Sequence, residues 1–253
     1  MAQTINTNVM SLNSQRHLSS SQADLSQSIE RLSSGLRVNS ARDDAAGLAI
    51  AARMETQTRG SDVAIRNAND GISLAQTAEG ALNEVGNMLQ RMRELAVQSA
   101  NGTNSSSDRA NQDAEYQALN TEIGRLATAT EFNGIAILDA DAGTQTFQIG
   151  ANKGDTLDVT TVQLSDVGGD ISNVTNAEKA LDDIDTAIDT VASDRASYGA
   201  ASSQLSSAIN NLQIMSENTS AARGRIMDAD FAVETANMTR ASIMQQALSL
   251  IHI

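Results

Sequence analysis

From Leu181 onward the chain alternates in steps of three and four through Ile184, Ile188, Val191, Arg195, Tyr198, Ser202, Leu205, Ile209, Leu212, Ser216 and Thr219. Most of these are apolar, and the spacing is that of a coiled-coil seam, narrower than the stripe of an ordinary surface helix. It predicts one helix of about 60 Å at 1.5 Å per residue. A second long segment runs from about Ser61 to Ser99. Its first stripe is Ile65, Ala68, Ile72 and Ala75, and its second is Ala78, Leu82, Val85, Leu89, Met92 and Ala96. The offset between the stripes reads as a three-residue slip, which overwinds a coiled coil locally. The polar stretch Asn101 to Asp108 has turn chemistry, with Ser107 and Asp108 as candidate N-caps. Tyr116, Leu119, Ile123 and Leu126 then predict a shorter helix doubling back as a helical hairpin.

Between Phe132 and about Val174 the period changes. Asn133-Gly134 is a turn pair, and Thr144 to Ile149 and Thr156 to Val162 flank a turn at Gly150 to Asp155. A small β-hairpin region is expected here, with Gly168-Gly169 and Asp170 leading into the long helix. The chain ends carry a matched pair of stripes. Leu18, Leu25, Ile29, Leu32 and Leu36 form one; Ile226, Ala229, Val233, Ala236, Ile243, Ala247 and Leu250 form the other, interrupted at Arg240. Both segments are rich in Ser, Asn and Gln and are marginal as isolated helices. Two outcomes stay open: the ends pack on each other within one bundle, or they order only when neighbouring copies supply the missing surface.

Composition narrows the chemistry. There is no Pro, so long helices meet no ring that would break them, and no Cys, which excludes disulfides, thiolate metal sites and a thiol nucleophile. Aromatic residues make up 2 % against 40 % apolar, so any core is built from Ala, Leu, Ile, Val and Met. With 17 basic and 31 acidic side chains, for a net charge of −14, the chain lacks a phosphate-neutralising surface, and no nucleic-acid partner is expected. No apolar run approaches the ~18 to 20 residues of a membrane helix, so no membrane insertion is expected. Met1 to Met10 has neither the cationic nor the apolar region of a cleaved secretion signal.

Catalytic templates are missing. His17 and His252 are the only histidines and lie near opposite ends, and neither lysine sits in a phosphate-binding loop. Asp43-Asp44 could split their pKa values as an acid–base pair, but their place before AAGLAIAA fits the acidic, capped start of a helix better. Asp139, Asp141 and Gly143 depart from a calcium loop in glycine position and in the absence of a final Glu. Asp182, Asp183, Asp185 and Asp189 read mostly as a solvated face. Asn101-Gly-Thr103 and Asn104-Ser-Ser106 match the glycosylation sequon, a short pattern without meaning if the source is bacterial. No catalytic residue, metal or cofactor is assigned.

Three long motifs resemble the bacterial flagellins: RLSSGLRVNSARDDAAGLAIA at Arg31 to Ala51, LQRMRELAVQSANG at Leu89 to Gly102, and SENTSAARGRIMDAD at Ser216 to Asp230, continuing through Met238. Glu131 to Gly134 and Phe147 to Asn152 extend the likeness across most of the chain. The resemblance implies a mainly α fold: a long-helix coiled-coil bundle with a small β-hairpin region, the terminal helices pairing as an inner coiled coil. Residues 1–44 and 220–253 correspond to the inner core, and 45–219 to the helical rod, with the hairpin region at about 132–174 and no large variable outer domain. Leu25, Ile29, Leu32, Leu36, Ile226, Val233 and Ile243 are then the assembly seams. A head-to-tail contact that does not close a ring builds an open helical filament.

The same resemblance implies an extracellular filament exported without a cleaved signal, and partners that include an export chaperone, a filament cap and hook-associated proteins. It also implies recognition by the vertebrate flagellin-sensing Toll-like receptor at Arg91, Leu95 and Glu115, read as an exposed Arg with a nearby Leu on one helix face. Past Ala241 to Ala247 the family pattern continues with a further amphipathic stretch, whereas this chain closes Leu248-Ser-Leu-Ile-His-Ile253, so its C-terminal segment is read as truncated or as ending on non-native residues. The alternatives are a hook–filament junction protein of the same architecture and a soluble coiled-coil interaction module.

Overall fold

The computed structural model describes residues 8–139, 143–164 and 166–252, with side chains as far as Ala247. Asp141 of the calcium reading, the side chain of Leu250 of the C-terminal stripe and the imidazole of His252 lie outside the described residues. The fold is mainly α. Helix α1 spans Val9–Ser34, α2 Ala45–Ala100 and α3 Ser106–Ala129; strands β1 Glu131–Phe132, β2 Ile135–Ala136, β3 Thr144–Gln148 and β4 Thr156–Thr160 follow, then α4 Val174–Met227 and α5 Phe231–His252. Two compact units result, one of Gly60–Ile214 and one of the residues up to Arg59 with those from Met215.

In the 60–214 unit α2 and α4 run antiparallel. Arg93 pairs with Asp185 at 2.6 Å and Arg195 with Glu79 at 3.7 Å, so contacts climb α4 as they descend α2. The hydrogen bond to Asp185 raises the pKa of Arg93, and that to Arg93 lowers the pKa of Asp185. The buried seam of α2 is Ser61, Ala64, Ala68, Gly71, Ala75, Ala78, Leu82, Val85, Leu89, Met92, Ala96 and Ser99. Its steps of three and four never break, so the expected slip is absent. Ile65 and Ile72 are only half-buried, beside the seam, because small residues hold the seam positions and let neighbours close in. A Cβ on Gly71 would stand 3.0 Å from a Leu205 methyl and 3.3 Å from the Phe147 ring; one on Gly60 would stand 2.7 Å from the Ala151 Cβ. Glycine at these two positions lets α4 and the β3–β4 hairpin seat against α2.

Leu74, Ala81, Met88 and Leu95 form a second row one place before the seam, and all join the same core as Tyr116 and Ile123 of α3. The N-cap of α3 is Ser105, and neither Ser107 nor Asp108 fills that role. Ser105 Oγ accepts from the Asp108 N–H while Asp108 Oδ2 accepts from the Ser105 N–H, a reciprocal box that places Asp108 three residues into the helix. Arg109 closes the α2–α3 turn by donating to the carbonyls of Ser99, Asn101 and Asn104 at 2.8 to 2.9 Å. The expected stripe of α3 holds, with Tyr116 and Ile123 fully buried and Leu119 and Leu126 packed beside them.

Both turns of the hairpin region form as expected. Asn133 and Gly134 take φ of 52° and 77°, the left-handed pair that a two-residue hairpin loop requires, and join β1 to β2. Strands β3 and β4 pair antiparallel from Thr144↔Thr160 to Gln148↔Thr156. The heptads of α4 bury Ile184, Val191, Tyr198, Leu205 and Leu212. At the intervening step the buried residue is Asp194, at 9 % exposure, with Arg195 half-buried.

Asp194 Oδ2 has no hydrogen-bond partner among the described residues, and desolvation raises its pKa. A carboxyl whose folded pKa is raised favours the native state in acid and loses that contribution as pH rises through the folded value. Asp194→Leu is therefore expected to raise the thermal midpoint by a few degrees at pH 7, about 1 kcal/mol or more. The gain should shrink towards pH 3. Circular-dichroism melts at both pH values check this, and an equal or lower midpoint at pH 7 would refute it.

Candidate functional site

In the unit of the chain ends, α1 and α5 lie backbone against backbone, closer than the helices of the rod. Such proximity needs small side chains. The α1 face towards the inside repeats Ser14, Leu18, Ser21, Leu25, Ser28 and Leu32, with serine and leucine each recurring every seven residues. Ser28 is buried, while Leu25 and Leu32 are half-buried. On α5 the inner face is Glu234, Met238, Ala241 and Gln245. Arg31 reaches Glu234 at 3.8 Å, and Glu234 is only 7 % exposed.

The chain ends are tied where both long helices break. Gly35 ends α1 in the left-handed conformation at φ 72°, its N–H donating to the Arg31 carbonyl at 2.8 Å. Leu36 and Asp228 then form an isolated antiparallel bridge. The Arg37 N–H donates to the Met227 carbonyl at 2.6 Å, the Ala229 N–H to the Gly35 carbonyl at 2.9 Å, and the Arg37 guanidinium to the Ile226 carbonyl at 2.6 Å. Val38, Ala51 and Met227 bury themselves here, with Leu36, Leu48 and Ile226 packed around them. Asp44 caps α2 by accepting the Gly47 N–H at 2.8 Å. Asp43 Oδ2 accepts the Ser40 hydroxyl and the Ser40 and Asn39 N–H groups, which together lower its pKa. The two acids hold a helix start, as their setting in the sequence indicates.

The sequence stripes at the ends divide on this frame. Leu25, Leu32, Leu36 and Ile226 contribute to packing within the chain, whereas Ile29 is 51 % exposed, Val233 54 % and Ile243 59 %. Phe231 and Met244 are also exposed on α5, at 71 % and 48 %. Sequence reading passes over Phe231, Met244, Ser28 and the Arg31–Glu234 pair. The seven-residue recurrence of serine in α1 is the signal that could have marked its inner face.

On the rod, Arg91 donates to Glu115 at 2.9 Å and to Glu94 at 3.0 Å, and these acids raise its pKa, Glu115 foremost. All three are exposed. Leu95 does not share their face. It is 2 % exposed, drawn into the core by its place in the second apolar row of α2. His17 is exposed on α1. No described helix is long and apolar enough to cross a membrane.

Uncovered apolar residues on paired terminal helices suit a subunit completed by its neighbours. Comparison with known proteins decides the matter. Residues 5–143 match the model of the bacterial flagellin N-terminal helical region, and 181–251 that of the C-terminal helical region. The chain belongs to the bacterial flagellins. It is 46 % identical to a flagellin of Halalkalibacterium halodurans over 96 % of this chain and 92 % of that one, and 36 % identical to flagellin A of Vibrio anguillarum over 98 % and 95 %. Among solved structures it is similar to Bacillus cereus flagellin, with a TM-score of 0.55 and 33 % identity over 58 % of this chain and 88 % of that one. Flagellins are structural, non-enzymatic subunits that self-assemble into the flagellar filament outside the cell, the component of swimming motility. That assignment sets aside the junction-protein and soluble-module alternatives for this flagellin.

Proposed function

We propose that neighbouring subunits grip this flagellin through the outward apolar rows of its terminal helices, with Ile29, Val233 and Ile243 at the contact. Leu25 and Leu32 hold α1 to α5, and Leu36 and Ile226 hold the joint. The observation that carries this reading is the exposure of Ile243 and Met244 along the shallow concavity they line on α5, with Val233 exposed on the same helix. Large apolar side chains clustered on a surface mark an interaction site. In the same reading 1–44 and 220–253 are the inner-core segments and 45–219 is the helical rod domain, which includes the hairpin region at about 132–174. Seeded polymerisation of the purified chain, followed by electron microscopy, is the test. Long filaments are expected; a folded protein that stays unpolymerised beside competent seeds would overturn the proposal.

The remaining partners follow from family membership. An export chaperone takes the C-terminal segment, the flagellar export apparatus passes the chain without a cleaved signal, and cap and hook-associated proteins meet it at the filament ends. For the flagellin-sensing Toll-like receptor, Arg91 and Glu115 supply the exposed contact, and Leu95 supports α2 from beneath. Arg91→Ala is expected to lower the response of receptor-bearing reporter cells about tenfold, the size of one lost charge-assisted contact. The monomer's melting curve should stay unchanged. An undiminished response would remove Arg91 from the contact.

A further inference from the structure

Fifteen of the 17 basic side chains are arginine, and the two lysines, Lys153 and Lys179, are exposed. All eight ion pairs found among the described residues use arginine, and neither lysine belongs to one. Arginine stays charged to about pH 12 and beyond, whereas an ordinary lysine loses its proton near about 10.4. Arg93 with Asp185 and Arg195 with Glu79, which join α2 to α4, and Arg91 with Glu115, which joins α2 to α3, therefore keep their charge through the alkaline range. The chain has no Cys, so above about pH 9 the side chains left to titrate, besides the exposed lysines, are its two tyrosines.

Both tyrosines are sealed inside the 60–214 unit. Tyr116 is 0 % exposed and Tyr198 1 %, and neither hydroxyl has a hydrogen-bond partner among the described residues. Their surroundings oppose a negative charge. Tyr116 is pushed up to about 12, by burial first and then by Asp183 of α4, Asp113 of α3 and Asp170 of the segment before α4. Burial is foremost at Tyr198 too; the Val162 backbone, short of a hydrogen bond, opposes the rise and Asp194 adds to it. Among the described residues the buried charged side chain of this unit is Asp194 itself, so no buried cation compensates. The 60–214 unit also carries the whole net charge of −14.

We propose that Tyr116 and Tyr198 set the alkaline limit of this flagellin: the rod stays folded on arginine ion pairs until the two phenols are forced to ionise, and removing their hydroxyls moves the limit higher. The filament lies outside the cell, so the rod meets the pH of the medium directly. A tyrosine whose folded pKa is raised contributes its full share of stability below the unfolded value near about 10 and loses it as pH rises through the folded value. With about 12 in the fold, Tyr116 alone lowers the folding constant about tenfold between pH 8 and pH 11.

Urea unfolding at pH 8 and pH 11, followed by far-ultraviolet circular dichroism, tests this on the parent, Tyr116→Phe and the double variant with Tyr198→Phe. Phenylalanine keeps the ring and gives up no hydrogen bond, so these variants fold. The parent's folding constant is expected to drop more than about tenfold between the two pH values, and that of Tyr116→Phe about tenfold less. That of the double variant should stay nearly level. Comparing each protein with itself cancels any effect of the substitution on packing. Phenolate absorbance supplies a second readout: in each single variant the remaining tyrosine should stay protonated in folded protein at pH 11 and ionise together with the loss of circular dichroism. A tyrosine that ionises near pH 10 in folded protein, equal losses in parent and double variant, or a parent that unfolds below pH 10 would overturn the proposal.

Discussion

Ile243→Glu is expected to stop seeded filament growth while leaving the monomer's helix content unchanged. Ile243 is 59 % exposed on the side of α5 turned away from α1, where it lines a shallow concavity with Ala232, Ala236, Thr239 and Met244. Nothing within the chain depends on burying it, so the monomer loses little. Covering an isoleucine side chain contributes about 1.5 to 3 kcal/mol, and a glutamate in the same place would have to shed its water without a partner. Together the lost burial and the added desolvation come to about 4 kcal/mol per contact, and each 1.4 kcal/mol is tenfold in the subunit concentration at which growth balances loss. Growth should therefore fail at any practical concentration. Ile243→Leu keeps the area and should grow. Turbidity with electron microscopy reads both, and growth of the glutamate variant at the parent's critical concentration would remove Ile243 from the contact.

The parts legible in the sequence are those in which one face has one job. In α4 the apolar heptads keep one unbroken spacing, and Ile184, Val191, Tyr198, Leu205 and Leu212 lie where that spacing puts them. Asn133-Gly134 and the strands around Gly150 to Asp155 were equally plain, because turn geometry restricts the residues allowed. Where close approach mattered more than apolar area, size misled. The seam of α2 passes through Ser61, Ala64 and Gly71, and the larger Ile65 and Ile72 drew the reading one place aside and created a slip. The burial of Leu95 was hidden for a related reason: α2 packs on two sides, and periodicity along one helix does not say which second row is covered.

The chain ends show the same effect at the site itself. Ile29 on α1 and Val233 and Ile243 on α5 face outward, while leucine alternates with serine on the inner face of α1 and Glu234, Met238, Ala241 and Gln245 occupy that of α5. A subunit completed by other copies keeps some apolar residues uncovered for them, and a single sequence does not distinguish contacts within a chain from contacts between chains.

Arg31→Met should loosen the α1–α5 pair more than any other single substitution there, by about 3 to 5 kcal/mol, because it strands Glu234 as a buried carboxylate without its cation. The reverse change is milder. With Glu234→Leu the Arg31 side chain, 26 % exposed, can turn its head to water, so the loss reduces to the ion pair and the favourable charge in the first turn of α5. Combining Arg31→Met with Glu234→Leu removes both desolvation penalties, and burial of two apolar side chains should return stability to that of the parent or above. Amide hydrogen exchange over 9–34 reads the effect locally: fast in Arg31→Met, intermediate in Glu234→Leu, and at parental protection in the pair. What the double variant should lose is alignment. A face on which serine and leucine each recur every seven residues offers few features that oppose sliding by one heptad, and the charge pair is a contact in it that a shifted register would break. Cysteines introduced at Ser28 and Ala241 would report this, cross-linking to one product in the parent and to reduced yield in the double variant. Equal exchange in Arg31→Met and the double variant would show that Glu234 tolerates its solitude and that the pair contributes neither stability nor register.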